Sequence, residues 1–230
     1  MKVQIIYVKG HTASEKQANE SLLSFLEHGY DAKLVEGITP ETINESDFPF
    51  PVILNGKLDT KFSGRKLLIK KSCLFNNLKF AQRVLEQNET MIFAEHDSIC
   101  IRKLPKLNFD DCCLLNLEYA FKQPSRFKSD KYRLWTYSNK KGIYDLPQNF
   151  PMNYIYNNKY HNHKYLPGTA SYALSPSGAI KTLTAAKRNG LEQSDLHINT
   201  YNMRIQYLIP SPIKLNKINL NLSHNLEKIE

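Results

Sequence analysis

The residues best placed for chemistry lie in Met91-Ile92-Phe93-Ala94-Glu95-His96-Asp97, a short apolar run that ends in two acids one residue apart. A brief apolar run closed by charge predicts a buried strand with carboxylates at its C-terminal end. In open α/β sheets, ligands bind beyond the carboxyl ends of the strands. Two carboxylates there suit a divalent cation, and a cation in turn suits a diphosphate. Oxygen ligands favour Mg²⁺ or Mn²⁺ over Zn²⁺. An E-x-D triplet alone is common on solvated surfaces; its place at the end of an apolar strand sets this one apart. His96 points away from both acids if the strand continues, which suits packing or a hydrogen bond.

Other groups weigh less. His161 and His163 are two residues apart, with no cysteine or second histidine cluster nearby. A structural role or a nucleic-acid contact is expected of them ahead of zinc. Cys73, Cys100, Cys112 and Cys113 form no C-x-x-C pair, so reduced, cytosolic thiols are the default. No G-x-G-x-x-G, Walker A or G-x-S-x-G pattern occurs, which disfavours dinucleotide, P-loop and serine-hydrolase chemistry. No apolar run approaches the roughly 20 residues of a membrane span. The first residues read as a mature strand rather than a signal peptide, and a cytoplasmic location is expected, in the host if the chain is phage-encoded.

The net charge of +9 favours an anionic partner. The charge is clustered. Between residues 122 and 141, Lys122, Arg126, Lys128, Lys131, Arg133, Lys140 and Lys141 face the single acid Asp130. Phe127, Tyr132, Trp135, Tyr137 and Tyr144 interleave with them. Cations for phosphates and rings for bases are how nucleic acid is often held. A solvated loop with anchoring rings is the plainer reading.

The elements that must position these groups follow from periodicity. Val3–Val8 reads as a buried strand. Thr12 with Glu15 fits a capping box. The helix that follows carries Ala18, Leu22, Phe25 and Leu26 on one face, and Gly29 stops it. Ala32–Val35 is a strand and Gly37 a turn, giving a strand–helix–strand unit with parallel strands. Val52–Leu54 reads as a short strand, and Lys71–Gln87 as a helix with Leu74, Leu78, Ala81 and Leu85 on its inner face. The strand Met91–Ala94 follows, and Ser98–Ile101 extends past the acids. Leu114–Leu117 is a further strand. From about 118 to 165 the chain reads as a long irregular insertion. Ala170–Leu174 is a strand, and Pro176 opens a helix that runs to Arg188 and is ended by Asn189-Gly190. Asp195 falls in a loop, Leu196–Met203 is a helix or turn, and Ile205–Ile209 a strand. One domain over 1–210 is expected, with a polar tail at 211–230 that packs as a strap or frays.

The block from Lys71 through Asp97 resembles the central block of glycosyltransferase family 25, the lipopolysaccharide-type sugar transferases, which have relatives in large phages. There, a helix beginning near a small residue and Cys leads into an apolar strand ending in E-D-D or E-H-D. Pro167-Gly-Thr-Ala-Ser-Tyr-Ala-Leu-Ser-Pro-Ser-Gly-Ala-Ile-Lys-Thr-Leu183 resembles the family's G-x-x-A-Y-x-x-S-x-x-G-A-x-x-L segment. Asp195 falls where the family carries an Asp after that helix. Ile5-Ile6-Tyr7-Val8 and Val35–Pro40 resemble its opening strand and second turn. The match spans most of the chain, excluding about 118–165 and the tail. Asn76-Asn77 departs from the usual Ser-His, and Lys9-Gly10-His11 from the usual Arg-rich stretch.

The resemblance implies an α/β, GT-A-like fold with a Rossmann-like, mainly parallel central sheet and flanking helices. It implies a nucleotide-sugar donor, with a UDP-sugar favoured, and hexosyl or pentosyl transfer with anomeric inversion. It assigns Asp97 to the metal, Mn²⁺ or Mg²⁺, and Glu95 to the metal or the donor ribose. It assigns Asp195 as general base, or alternatively to a donor sugar hydroxyl. Tyr7, Val8, Gly168, Thr169 and Tyr172 would line the donor site. His224 would be a third metal ligand or a surface histidine. The favoured acceptor is a hydroxymethylated pyrimidine in DNA, presented unstacked or flipped out and held by Arg126, Lys128, Lys131, Arg133, Lys140 and Lys141. The alternatives are a lipopolysaccharide or other glycan acceptor, and a non-catalytic nucleic-acid-binding protein on a degenerate transferase scaffold.

Overall fold

A computed structural model describes residues 1–105, 141–146, 148, 163–165 and 170–216 in full, and the backbone of strands at 114–116, 153–156 and 159–162. Burial on both faces marks the central strands. β1 (Lys2–Tyr7) buries Val3, Gln4 and Ile5 in succession, as a strand covered on both faces must. Parallel neighbours need a crossover connection. α1 (Thr12–Glu27) supplies one to β2 (Asp31–Glu36), and α3 (Gly64–Gln87) supplies one to β3 (Met91–Glu95). Both strands pair parallel with β1.

Beyond β3 the chain departs from a mainly parallel sheet. The central sheet has seven strands in the order β2-β1-β3-β9-β5-β10-β6. β9 (Ser171–Leu174) runs antiparallel to β3 and to β5 (Leu114–Asn116). β10 (Ile205–Ile209) is parallel to β5 and antiparallel to β6 (Gly142–Asp145). Among the described residues no helix directly precedes β9; its helix α4 (Pro176–Asn189) follows it instead. β6 also shows that the stretch expected to be irregular contributes a strand to the sheet edge. β7 (Asn153–Tyr156) and β8 (Lys159–Lys164) pair as a separate antiparallel hairpin.

The two faces of β3 divide the core. Met91 and Phe93 join Phe80, Val84, Tyr172, Leu174 and Met203, while Ile92 and Ala94 join Ile5, Phe25, Ala173 and Leu208. α3 lies on the first face against α4. Its Leu74, Leu78 and Ala81 are fully buried as their spacing predicts, and Leu85 is half-buried. α3 starts seven residues before the expected Lys71, and a short α2 (Lys57–Lys61) precedes it. Asn88, at φ 49°, closes it in the left-handed region that Asn tolerates. α4 ends where Gly190 takes φ 98°.

α1 departs from its apolar pattern. Ala18 and Phe25 are buried, but Leu26 is 46% exposed, and the inner face is completed by Ser14, Gln17, Ser21 and Ser24. The serines face inward because they bond to β4 (Ser98–Cys100). The Ser21 hydroxyl donates to the Ser98 carbonyl at 2.6 Å, and Ser24 Oγ accepts from the Cys100 N–H at 2.9 Å. The cap lies one residue before Thr12: His11 Nδ1 accepts from the Ser14 N–H, and Glu15 accepts from the Gly10 N–H. Val52–Leu54 forms no strand, only a bridge from Val52 to Leu191.

Residues 211–216 stay within the fold. β11 (Ile213–Leu215) pairs antiparallel with β4. Ile213 is 5% exposed and packs with Phe25, Ile92 and Cys100.

Candidate active site

Because β1, β2 and β3 are parallel, their carboxyl ends share one rim. Ile6 pairs with Glu95 and Val35, and Tyr7 with Glu36, so Glu95 stands one residue short of the level of Tyr7 and Glu36. Gly37 follows immediately. Its N–H donates to the Tyr7 carbonyl at 2.8 Å, and a Cβ at this position would meet Ile6 Cγ2 at 2.6 Å. Only glycine fits so close to β1. Val8 is half-buried and its backbone is occupied, with the N–H on Ser14 Oγ and the carbonyl accepting from His11.

β3 ends at Glu95, whose N–H donates to the Ala170 carbonyl at 2.7 Å. His96 and Asp97 form the turn into β4. That turn is clamped from three sides. The Ser98 hydroxyl donates to the Ala170 carbonyl, Ser21 grips the Ser98 carbonyl, and the Asn216 N–H donates to the Asp97 carbonyl at 2.7 Å. The Asp97 side chain is enclosed, and burial pushes its carboxyl above the ordinary range. Its Oδ1 is buried with no hydrogen-bond partner among the described residues. A buried carboxylate oxygen without a donor is costly unless a proton or a cation meets it.

Asp195 arrives from another element. It lies in the first turn of α5 (Ser194–His197), not in a loop, and α5 packs on α3. Cys73, on α3, links the two acids. Burial raises its thiol to about 12, and Glu95 and Asp195 both add to the rise, against Lys70. Glu95 and Asp195 therefore both act electrostatically on Cys73, which stays a neutral thiol. Glu95 also contributes, after burial, to holding the Tyr172 phenol well above its usual value.

Tyr172 itself stands apart from the rim. All four residues of β9 are buried, and its ring stacks on Phe93 at 5.1 Å with its hydroxyl donated to Asn77 Oδ1. It supports the floor from beneath and presents no surface to a donor, because a strand in mid-sheet has both faces covered. Asn76 and Asn77 are structural. Asn76 accepts from the Ile38 N–H at 2.8 Å and donates to the Ile38 carbonyl at 3.0 Å, fixing the turn after β2. Gly168, Thr169, Arg126, Lys128, Lys131, Arg133, Lys140 and His224 lie outside the described residues. Lys141 is exposed at the entry to β6. His163 packs edge-on against Tyr201 at 5.1 Å.

Three groups escaped the sequence reading. Cys73 was visible only as a thiol. Glu192 is 3% exposed, and its carboxylate accepts from the N–H groups of Lys57, Leu58 and Gln193. Burial raises its carboxyl despite those bonds. A side chain on Gly56 would collide with it. Lys57, on the far side of that contact, is half-buried.

Among the described residues, no group of three or more His, Cys, Asp or Glu forms a metal cage. Two carboxylates on one turn suit instead a cation that takes its remaining ligands from water and substrate phosphates, the habit of Mg²⁺ and Mn²⁺. The unpartnered Asp97 Oδ1 fits that role. No helix among the described residues is long and apolar enough to cross a membrane.

No family model matches the chain, family 25 included, and no curated protein matches it. Solved structures similar to it include two glycosyltransferases. The galactosyltransferase LgtC, in complex with donor and acceptor sugar analogues, has a TM-score of 0.36 and 10% identity over 90% of this chain and 73% of its own. Mouse xyloside xylosyltransferase 1, in its apo form, has a TM-score of 0.37 and 8% identity over 86% and 79%. A likeness of this size bears no weight, so the functional reading rests on the chain's own residues.

Proposed function

We propose that the chain is a divalent-metal-dependent glycosyltransferase that moves a sugar from a nucleotide-sugar donor, a UDP-sugar by preference, to a hydroxyl acceptor. The observation that carries the reading is the buried Asp97 oxygen, with no hydrogen-bond partner among the described residues, two residues past Glu95 at the shared carboxyl edge of three parallel strands. A bound Mn²⁺ or Mg²⁺ would neutralise charge on a diphosphate leaving group. Asp97 holds the cation, and Glu95 holds it or the donor ribose. Asp195, on α5, takes the proton from the acceptor hydroxyl. The hydrogen bonds from Ser98, Ser21 and Asn216 hold the turn that carries Asp97.

The test is release of nucleoside diphosphate from a panel of nucleotide sugars in Mn²⁺. The parent should hydrolyse one donor slowly, and Asp97→Ala should lower that rate at least 100-fold. An unchanged rate removes Asp97 from the reaction. Hydroxymethylated DNA and lipopolysaccharide, offered as acceptors and followed by mass spectrometry, separate the two acceptor classes. The basic, aromatic stretch that motivates DNA lies outside the described residues except for Lys141 and Tyr144.

A further inference from the structure

The inner face of α1 is polar along one stripe. Ser14, Gln17, Ser21 and Ser24 follow one another at helical spacing, and all four are buried. The three serines are bonded across the interface. Ser14 Oγ accepts from the Val8 N–H at 2.9 Å, the Ser21 hydroxyl donates to the Ser98 carbonyl at 2.6 Å, and Ser24 Oγ accepts from the Cys100 N–H at 2.9 Å. Gln17 is the exception. It is 6% exposed, and its Oε1 is buried with no hydrogen-bond partner among the described residues. A buried acceptor left without a donor is costly unless something outside the chain meets it.

The bonds on either side of Gln17 place it. Ile6 pairs with Glu95, so Val8 follows β1 as Asp97 follows β3, each two residues beyond that pair. Ser14 meets the chain at Val8, Ser21 meets it at Ser98, directly after Asp97, and Gln17 lies between them on the same stripe. A further contact holds α1 against this turn. Glu20 Oε2 accepts from Asn216 Nδ2 at 3.0 Å, and the Asn216 N–H donates to the Asp97 carbonyl at 2.7 Å. Two buried oxygens without partners, Gln17 Oε1 and Asp97 Oδ1, therefore belong to one junction of helix and turn. An ionised carboxylate and an amide oxygen are both acceptors, so neither satisfies the other. A hard divalent cation satisfies both, because such cations take amide carbonyls alongside carboxylates.

We infer that Gln17 is a further ligand, through Oε1, of the divalent cation held by Asp97, so that the metal site is built between α1 and the β3–β4 turn. The inference rests on the metal-dependent reading of Asp97 and adds to it a residue from a different element. Being neutral, the amide leaves the cation more of its charge for a diphosphate than another carboxylate would. The serine bonds on either side keep this part of α1 against the turn whether or not the cation is bound.

The test is titration of the full chain with Mn²⁺, read by calorimetry and by loss of the free-ion electron paramagnetic resonance signal, with thermal unfolding measured in the absence of metal. The parent should bind Mn²⁺ and Asp97→Ala should not. Gln17→Met keeps the length of the side chain and removes the oxygen, so it should weaken binding by roughly fivefold or more, while the metal-free variant unfolds no lower than the parent. Gln17→Glu exchanges a neutral ligand for a charged one and should tighten binding by roughly fivefold or more. Glu86→Gln, at an exposed carboxylate on α3, should leave the affinity as it was. Binding that is lost in Asp97→Ala and unchanged in both Gln17 variants overturns the inference and leaves the metal reading of Asp97 standing. A metal-free Gln17→Met that unfolds below the parent, with a Gln17→Glu that binds no better, overturns it in favour of a hydrogen bond between Gln17 and Asp97, direct or through water. If Gln17→Met misfolds, Gln17→Glu decides: affinity unchanged or weaker overturns the ligand. No binding of Mn²⁺ by the parent overturns the metal reading itself, and the inference with it.

Discussion

At the scale of single residues, Asp97 sets function against stability. Its carboxyl is raised by burial, so the folded state binds its proton more tightly than the unfolded chain does. Between the ordinary carboxylate value of 3.8 and its raised folded value, the native state carries the extra proton, and stability falls as pH rises through that window. Above the window the ionised, partnerless oxygen is a standing cost. Asp97→Asn should therefore raise stability by about 1 kcal/mol at neutral pH, within the ~1–3 kcal/mol of an unsatisfied buried group. Thermal unfolding should shift up by about 2–4 °C, and the gain should shrink as pH falls toward 4. The same variant should lose metal-dependent donor hydrolysis. Saturating Mn²⁺ should stabilise the parent and not the variant, because only the parent offers the carboxylate pair.

At the scale of elements, the turn after β2 depends on one side chain from α3. Asn76→Ala removes both bonds to the half-buried Ile38 backbone, so it should cost about 1 kcal/mol, read by chemical denaturation. What the sequence declared at this scale, and what it hid, divides on physical grounds. β1, α1, β2, β3, β9, α4 and β10 each carry their own period or cap, and each was readable. The start of α3 was not, because Leu67-Leu68-Ile69 runs without period after Phe62-Ser63-Gly64, which reads as a loop. α2 is too short to show a period. β11 has only Ile213 to mark it, and its partner β4 is remote in sequence. The site divides in the same way. Glu95 and Asp97 announce themselves as charge at the end of an apolar run. Residue type cannot show that Tyr172 sits buried in mid-sheet or that Asn76, a departure from the resembling family's pattern, braces the turn after β2. Lys57 and Glu192 come together only through the contact of α2 with the chain before α5.

At the scale of the whole molecule, the clasp formed by β11 joins the end of the described chain to the heart of the site. Ile213→Ala should destabilise by about 2 kcal/mol or more, as removal of a buried Ile does. It should also lower metal-dependent hydrolysis without touching a ligand, because the Asn216 bond to the Asp97 carbonyl lies just past this strand. Calorimetry and the donor assay on the same preparation check both. The strand order has a consequence for synthesis on the ribosome. β1, β2 and β3 emerge together and can pair at once, but the outer edge of β3 waits for β9, and the Asp97 turn waits for residue 216. At about 5–20 residues per second, the interval from residue 97 to 216 is on the order of ten seconds. Through that time the nascent chain presents the open edge of its most apolar strand, Met91–Ala94, to every other chain in the polysome. The yield of soluble protein is therefore set by how quickly translation runs through the second half of the message and by what shields β3 until then.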